Sequence, residues 1–138
     1  MTVVDRFHFT KARPYLAKAM SLCCDAEIDD NGNVTGEPTE AALVTYSYTV
    51  GNPKNKLVPE YPRIGEAPFD SVRKMMSTVH ERLNKEYLTL PGVCDYVQFT
   101  KGAPREVLNL VTHYLHENSV ITQLTADQRE LNQRHHRR

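Results

Sequence analysis

The sequence lacks any run of about 18 consecutive apolar residues, so no segment is expected to cross a membrane as a helix. It has no excess of either charge: 17 Lys and Arg stand against 17 Asp and Glu. Sequence-independent binding to nucleic acid draws on clustered surplus cations, so nucleic acid is not an expected partner. A site for one nucleotide needs only one or two local cations and stays open. Cysteine is scarce and odd in number, with Cys23 and Cys24 adjacent and Cys94 apart. That is a poor disulfide framework, which points to a reducing, cytosolic setting. The three thiols read as small, half-buried apolar residues. None has zinc-site spacing, and His113 and His116, three apart on an expected helix, are weak metal ligands alone. His135 and His136 fall in an expected frayed end. The chain also lacks a Walker-type phosphate loop and a Ser/His/Asp arrangement. It has no convincing acid cluster for metal-assisted chemistry. A stand-alone kinase or phosphatase is therefore not expected, and no catalytic or metal-ligating residue is assigned. The N-terminus alternates polar and apolar residues instead of forming a secretory leader.

What remains is enough for one domain with one core, spanning 1–138. Thr2–Phe9 alternates as a strand, and Lys11–Cys24 carries Tyr15, Leu16, Ala19, Met20 and Cys23 at helical spacing. Asn31-Gly32 marks a turn within 29–33. That stretch fails as a calcium loop, because the required Gly and terminal Glu positions do not fit. Pro38 suits the first position of a helix running to about Val50, with Glu37 at its cap. Gly51–Pro59 is expected as a loop. Arg63–Phe69, Met76–Arg82 and Val93–Thr100 read as three antiparallel strands, the last two joined by a longer connection at 83–92. Pro104 opens a helix whose stripe is Val107, Leu108, Val111, Tyr114 and Leu115. Thr125 caps a terminal helix, 125–138, that is polar almost all round and expected to be weakly held. The order of elements excludes a doubly wound parallel sheet and favours an α+β fold, an antiparallel sheet with helices packed on it. Both ends look cut from a longer chain.

Three segments carry candidate chemistry. In APFDSVRKMMS (67–77), Phe69 follows Pro68, and an aromatic there can stack on a base, worth about 1–3 kcal/mol. Weighed singly, Phe69 reads as core sooner than as a stacking platform. Strand parity puts Ser71, Arg73 and Met75 on the face of Phe69 unless a bulge intervenes. Arg73 and Lys74 alone read as a solvated charge pair, and Met76 as core or pocket wall. In FTKGAP (99–104), Lys101 ends a strand just before a helix, where it can reach an anion or a ring nitrogen. Gly102 removes a side chain that would block a ligand. In GEPTEAAL (36–43), Glu40 sits in the first turn of a helix. There an acid complements the dipole, or accepts from an exocyclic amino group.

Taken in order, GEPTEAAL at 36–43, EYPRIGEAPFDSVRKMMS at 60–77 and FTKGAPREVL at 99–108 resemble the nucleotide-binding domain of P-type ATPases, in the calcium-pump-like group of cation pumps. MTVV at 1–4 looks like the chain just after that family's phosphorylation motif. The resemblance covers nearly the whole chain and implies the family's α+β nucleotide-binding-domain fold. It implies adenine stacking by Phe69, a pocket-floor cation at Lys101 beside Gly102, an adenine-facing carboxylate at Glu40 and a pocket-lining Met76. Two departures bear on the phosphate side. Arg105 stands where the family often has an acid, which bears on the charge at that helix start, and Ser71 stands where some calcium pumps have an arginine, so phosphate contacts are expected either to be weaker or to come from Arg73. The implied ligand is ATP, as Mg-ATP in the full-length pump. The implied partners are the phosphorylation and actuator domains of the same pump, with no direct membrane contact by this chain. The implied location is the cytoplasmic side of a bacterial-type membrane pump. The phosphorylated aspartate lies outside this chain, so no turnover by the chain alone is expected. The alternative is an α+β interaction or regulatory module that binds no nucleotide.

Overall fold

The computed structural model describes residues 13–83, 95–115 and 121–136. The expected strand Thr2–Phe9, the connection at 84–92, Val93, Cys94 and His116 lie outside them, as do the side chains of His135 and His136.

Helix α1 (Arg13–Leu22) packs on α2 (Pro38–Thr49) through small side chains that let the two backbones approach. Ala17, Ser21 and Ser47 are all buried there, and the Ser47 hydroxyl donates to the Ala17 carbonyl at 2.9 Å. Between the helices, β1 (Glu27–Ile28) and β2 (Val34–Thr35) form a short hairpin around the expected turn. Asp29 closes it by accepting from the Asn31 and Asn33 amides at 2.9 and 2.8 Å, and Gly32 supplies the positive φ of 85°. Helix α2 begins as expected: Pro38 stands in the first turn, and the Glu37 carboxylate accepts from the Glu40 N–H at 3.1 Å.

The stretch expected as a loop at 51–59 instead contains helix α3 (Lys54–Glu60). The Pro53 carbonyl accepts from Lys56 and Leu57 at 3.0 and 3.2 Å, which starts the helix. Leu57 is buried with Leu22 and Tyr61 against Val97 and Phe99. Burying a leucine is worth about 1.5–3 kcal/mol. That tertiary gain is what a reading of local Gly, Asn and Pro signals does not contain.

The main sheet is antiparallel in the order β3 (Arg63–Asp70), β4 (Met75–Glu81), β5 (Tyr96–Gly102). These are the three expected strands, with small shifts at their ends. The central strand is buried over Met75–Thr78, while β5 alternates between more and less exposed residues. Between the pairs Ala67–Ser77 and Asp70–Met75, β3 carries one residue more than β4, so Pro68 and Phe69 sit in a bulge. Residues 71–74 are not strand but a tight turn. Asp70 accepts from the Val72 and Arg73 amides at 2.9 and 2.6 Å, and Lys74 takes φ 56°. The expectation that Ser71, Arg73 and Met75 share a strand face with Phe69 is therefore corrected: the strand ends at Asp70.

Pro104 opens α4 (Pro104–Leu110) as expected, but the helix stops early. Tyr114 and Leu115 of the expected stripe belong to β6 (His113–Leu115), paired with β7 (Ile121–Gln123). Apolar residues at three- and four-residue spacing suit a helix, yet the extended Val111 and the partner strand decide otherwise. The exposed carbonyls at the end of α4 are met by Arg129 of α5 (Ala126–His136), whose guanidinium donates to the carbonyls of Leu108 and Val111. Thr125 caps α5 reciprocally with Gln128, at 3.2 and 3.0 Å.

Candidate functional site

The bulge, the start of β4, the end of β5 and the first turns of α2 enclose one cavity of about 480 Å³. Met76 pairs directly with Lys101 across β4 and β5, and Met75 with Gly102, so the strand register fixes that side of the cavity. The bulge turns Phe69 outward, and the residue is 62% exposed. An aromatic core residue would be buried, so the core reading of Phe69 does not hold. Glu40, Thr39 and Leu43 come from the start of α2 and complete the lining with Glu37. Five of the six residues singled out in the sequence thus meet at one cavity: Glu40, Phe69, Met76, Lys101 and Gly102.

Arg73 is not in the lining. Its guanidinium donates to Asp70 at 3.0 Å and to the Met75 carbonyl at 3.0 Å, bracing the turn that follows Phe69. Gly102 lines the cavity, but its lack of a side chain answers to the chain itself. A Cβ there would lie 2.3 Å from the Lys74 carbonyl oxygen and 2.6 Å from Met75 Cα. Thr39 and Leu43 were missed in the sequence, although Leu43 stands three residues from Glu40 and four from Thr39, a usable helical signal.

The electrostatic centre is the pair Glu40–Lys101. Lys101 Nζ donates to Glu40 Oε1 at 2.9 Å, and the Asp25 N–H donates to Glu40 Oε2 at 2.8 Å. Burial pushes the Glu40 carboxyl up, but the Lys101 hydrogen bond, the Asp25 amide and the Lys101 charge together outweigh it. The group is held below the usual carboxylate range. Each carboxylate oxygen has a second lone pair, and an ammonium has three protons, so both groups keep capacity for a ligand. The cavity therefore offers an exposed aromatic face, apolar walls in Met76 and Leu43, and an acceptor and a donor side by side in Glu40 and Lys101. That combination suits a flat heteroaromatic ring carrying an amino group next to a ring nitrogen.

A larger cavity of about 620 Å³ lies between α4 and α5 and also touches Lys101 and Gly102. Its walls include Pro104, Val107 and Leu108, and among the described residues its lining has no aromatic or acidic side chain. It offers neither a stacking face nor a carboxylate. Arg105, one of the two departures, lines that cavity and not the first.

Residues 14–137 match the family model described as P-type ATPase, cytoplasmic domain N. The chain is 35% identical over 120 residues to calcium-transporting ATPase 1 of Lactococcus lactis, covering 79% of this chain and 12% of the relative. It is 37% identical over 116 residues to calcium-transporting ATPase 1 of Bacillus cereus, covering 84% and 12%. It is 31% identical over 118 residues to the human calcium-transporting ATPase type 2C member 1, covering 86% and 12%. The chain thus spans about an eighth of the length of these relatives.

Proposed function

The chain belongs to the family of cytoplasmic N domains of P-type ATPases, and from that premise we propose that its cavity binds ATP by the base and leaves the triphosphate projecting. Adenine stacks on Phe69. Its amino group donates to Glu40, and Lys101 donates to a ring nitrogen beside it. Met76 and Leu43 hold the edges of the ring. The observation that supports this reading is the convergence of four residue types on one cavity from α2, β3, β4 and β5, up to 61 residues apart in sequence.

Phosphoryl transfer depends chiefly on positioning and charge stabilisation, so a domain that only presents the nucleotide is a sufficient contribution. In the full-length pump the γ-phosphate meets an aspartate outside this chain, and its transfer drives ion transport. The relatives are named for calcium, which makes calcium the proposed ion. The proposed partners are the phosphorylation and actuator domains of the same pump, at the cytoplasmic face of the membrane. Among the described residues no helix is long and apolar enough to cross a membrane. Magnesium would travel with the phosphates. Among the described residues no group of three or more His, Cys, Asp or Glu could hold it. Arg73 is engaged by Asp70 and the Met75 carbonyl, so its proposed role is to brace the turn after Phe69 and not to hold the ligand.

The test is titration of the chain with ATP while amide NMR shifts are recorded. Changes are expected at Glu40, Phe69 and Lys101–Ala103, with a dissociation constant near millimolar, about −4 kcal/mol. Silence at those residues at several millimolar ATP would refute nucleotide binding.

A further inference from the structure

We propose that Lys54 and Arg63, which do not line the nucleotide cavity, are positioning residues for it, acting on Glu40 through the Cys24–Asp25 peptide group. This rests on the nucleotide reading of the cavity given above.

The Cys24 carbonyl is gripped by two cations. Lys54 Nζ donates to it at 3.1 Å and Arg63 Nη2 at 2.7 Å. Both cations hold its neighbours too: Lys54 donates to the Ala26 carbonyl and Arg63 to the Leu22 carbonyl at 3.1 Å. Arg63 also binds the Asp25 carboxylate at 2.9 Å, so the residue is held at its side chain and at the preceding carbonyl. A trans peptide is planar, and its C=O and N–H point in opposite directions. Fixing the Cys24 carbonyl on the side of Lys54 and Arg63 therefore aims the Asp25 N–H away from them. That N–H meets Glu40 Oε2 at 2.8 Å, on the oxygen that Lys101 does not hold.

Two cationic donors on the carbonyl also polarise the peptide, which strengthens the N–H as a donor. The carboxylate of Glu40 is thus held at one oxygen from the cavity side and at the other from the fold. Lys54 is 3% exposed. A buried ammonium is costly unless hydrogen-bonded and paired; Lys54 has the Glu27 carboxylate at 3.6 Å and the Cys24 sulfur at 3.8 Å, and its closest bonds go to the two carbonyls that flank Asp25. Removing either cation frees the peptide plane to rotate. Glu40 then loses its second anchor, and the angle at which it accepts from a base amino group is no longer set.

A merely structural role would change stability and leave base selectivity alone. The test therefore compares ATP with ITP, whose base carries a carbonyl oxygen in place of the amino group. Binding of both is measured by titration calorimetry or NMR for the parent, Lys54→Met, Arg63→Gln, Glu40→Gln and Phe69→Ala. The proposal expects Lys54→Met and Arg63→Gln each to lower the ATP/ITP affinity ratio by about fivefold, approaching Glu40→Gln, which removes the charged acceptor itself. Phe69→Ala weakens both nucleotides and keeps the ratio, because stacking does not read the amino group. A second readout needs no nucleotide: the Asp25 amide proton, downfield in the parent, moves toward its Glu40→Gln position in both variants. Arg63 is partly exposed, so Arg63→Gln carries the test if Lys54→Met does not fold. If the parent shows no ATP/ITP preference, the base-reading role of Glu40 fails, and the amide shift still decides the relay. If Arg63→Gln keeps both the parental ratio and the parental Asp25 shift, the relay is overturned while nucleotide binding stands.

Discussion

Truncating Phe69 separates binding from folding, because the residue is only about two-fifths covered in the free domain. Full burial of a phenylalanine side chain is worth about 1.5–3 kcal/mol, so the covered part contributes on the order of 1 kcal/mol to stability. The bulge that carries the ring is held by backbone pairing and by the Asp70 turn, neither of which uses the Phe69 side chain. Phe69→Ala is therefore expected to shift the urea midpoint slightly and leave the far-UV spectrum unchanged. Stacking on a base is worth about 1–3 kcal/mol, so the same change should weaken ATP by roughly 5- to 150-fold. Phe69→Tyr keeps the face and should keep most of the affinity. The assay is competition of ATP against a fluorescent adenine nucleotide, run beside urea unfolding of each variant. Unchanged ATP binding in a folded Phe69→Ala protein would refute the stacking role. A stability loss of several kcal/mol would return Phe69 to the core and refute the burial argument.

Glu40 gives a pH prediction whose sign follows from its depressed pKa. Its contribution to stability is complete above the ordinary carboxylate range, near pH 4.3, and is lost as pH falls through the lower folded value. Subtracting the urea stability of Glu40→Gln from that of the parent should leave a difference that is flat at neutral pH and shrinks only in acid. A difference that shrinks above pH 5 would contradict the assignment. ATP affinity should fall over the same acid window. Gly102→Ala tests the close approach at the end of β5. The added methyl would lie 2.3 Å from the Lys74 carbonyl, and overpacking of this kind costs about 1–3 kcal/mol. A thermal melt within error of the parent would show that the strand end yields, and would restore the reading of Gly102 as ligand clearance alone.

Much of the fold was legible because its signals are local. Pro38 after Glu37, the Asn31-Gly32 turn, and Lys101 through Pro104 each mark a boundary by backbone chemistry that needs no partner, and each boundary is where it was expected. Helix α3 was not legible, because Leu57 gains its worth only against Leu22 and Tyr61. The end of α4 was not legible, because β7 and Arg129 both arrive from further along the chain. The candidate site divides in the same way. Phe69, Lys101 and Glu40 were named through a resemblance in motif order. That Lys101 bonds Glu40, and that the Asp25 amide holds the other oxygen, are contacts between distant segments that no spacing encodes. The place of Arg73 was not legible, because strand parity counted from Phe69 runs through a turn that Asp70 closes by accepting from the Val72 and Arg73 amides and from the Arg73 guanidinium.

A crystal structure of the chain with a non-hydrolysable ATP analogue tests the central claim most directly. The expected result is the adenine ring on Phe69, its amino nitrogen within about 3.2 Å of a Glu40 oxygen, Lys101 at the adjacent ring nitrogen and the phosphates outside the cavity. Nucleotide seated instead between α4 and α5, away from Phe69 and Glu40, would contradict it.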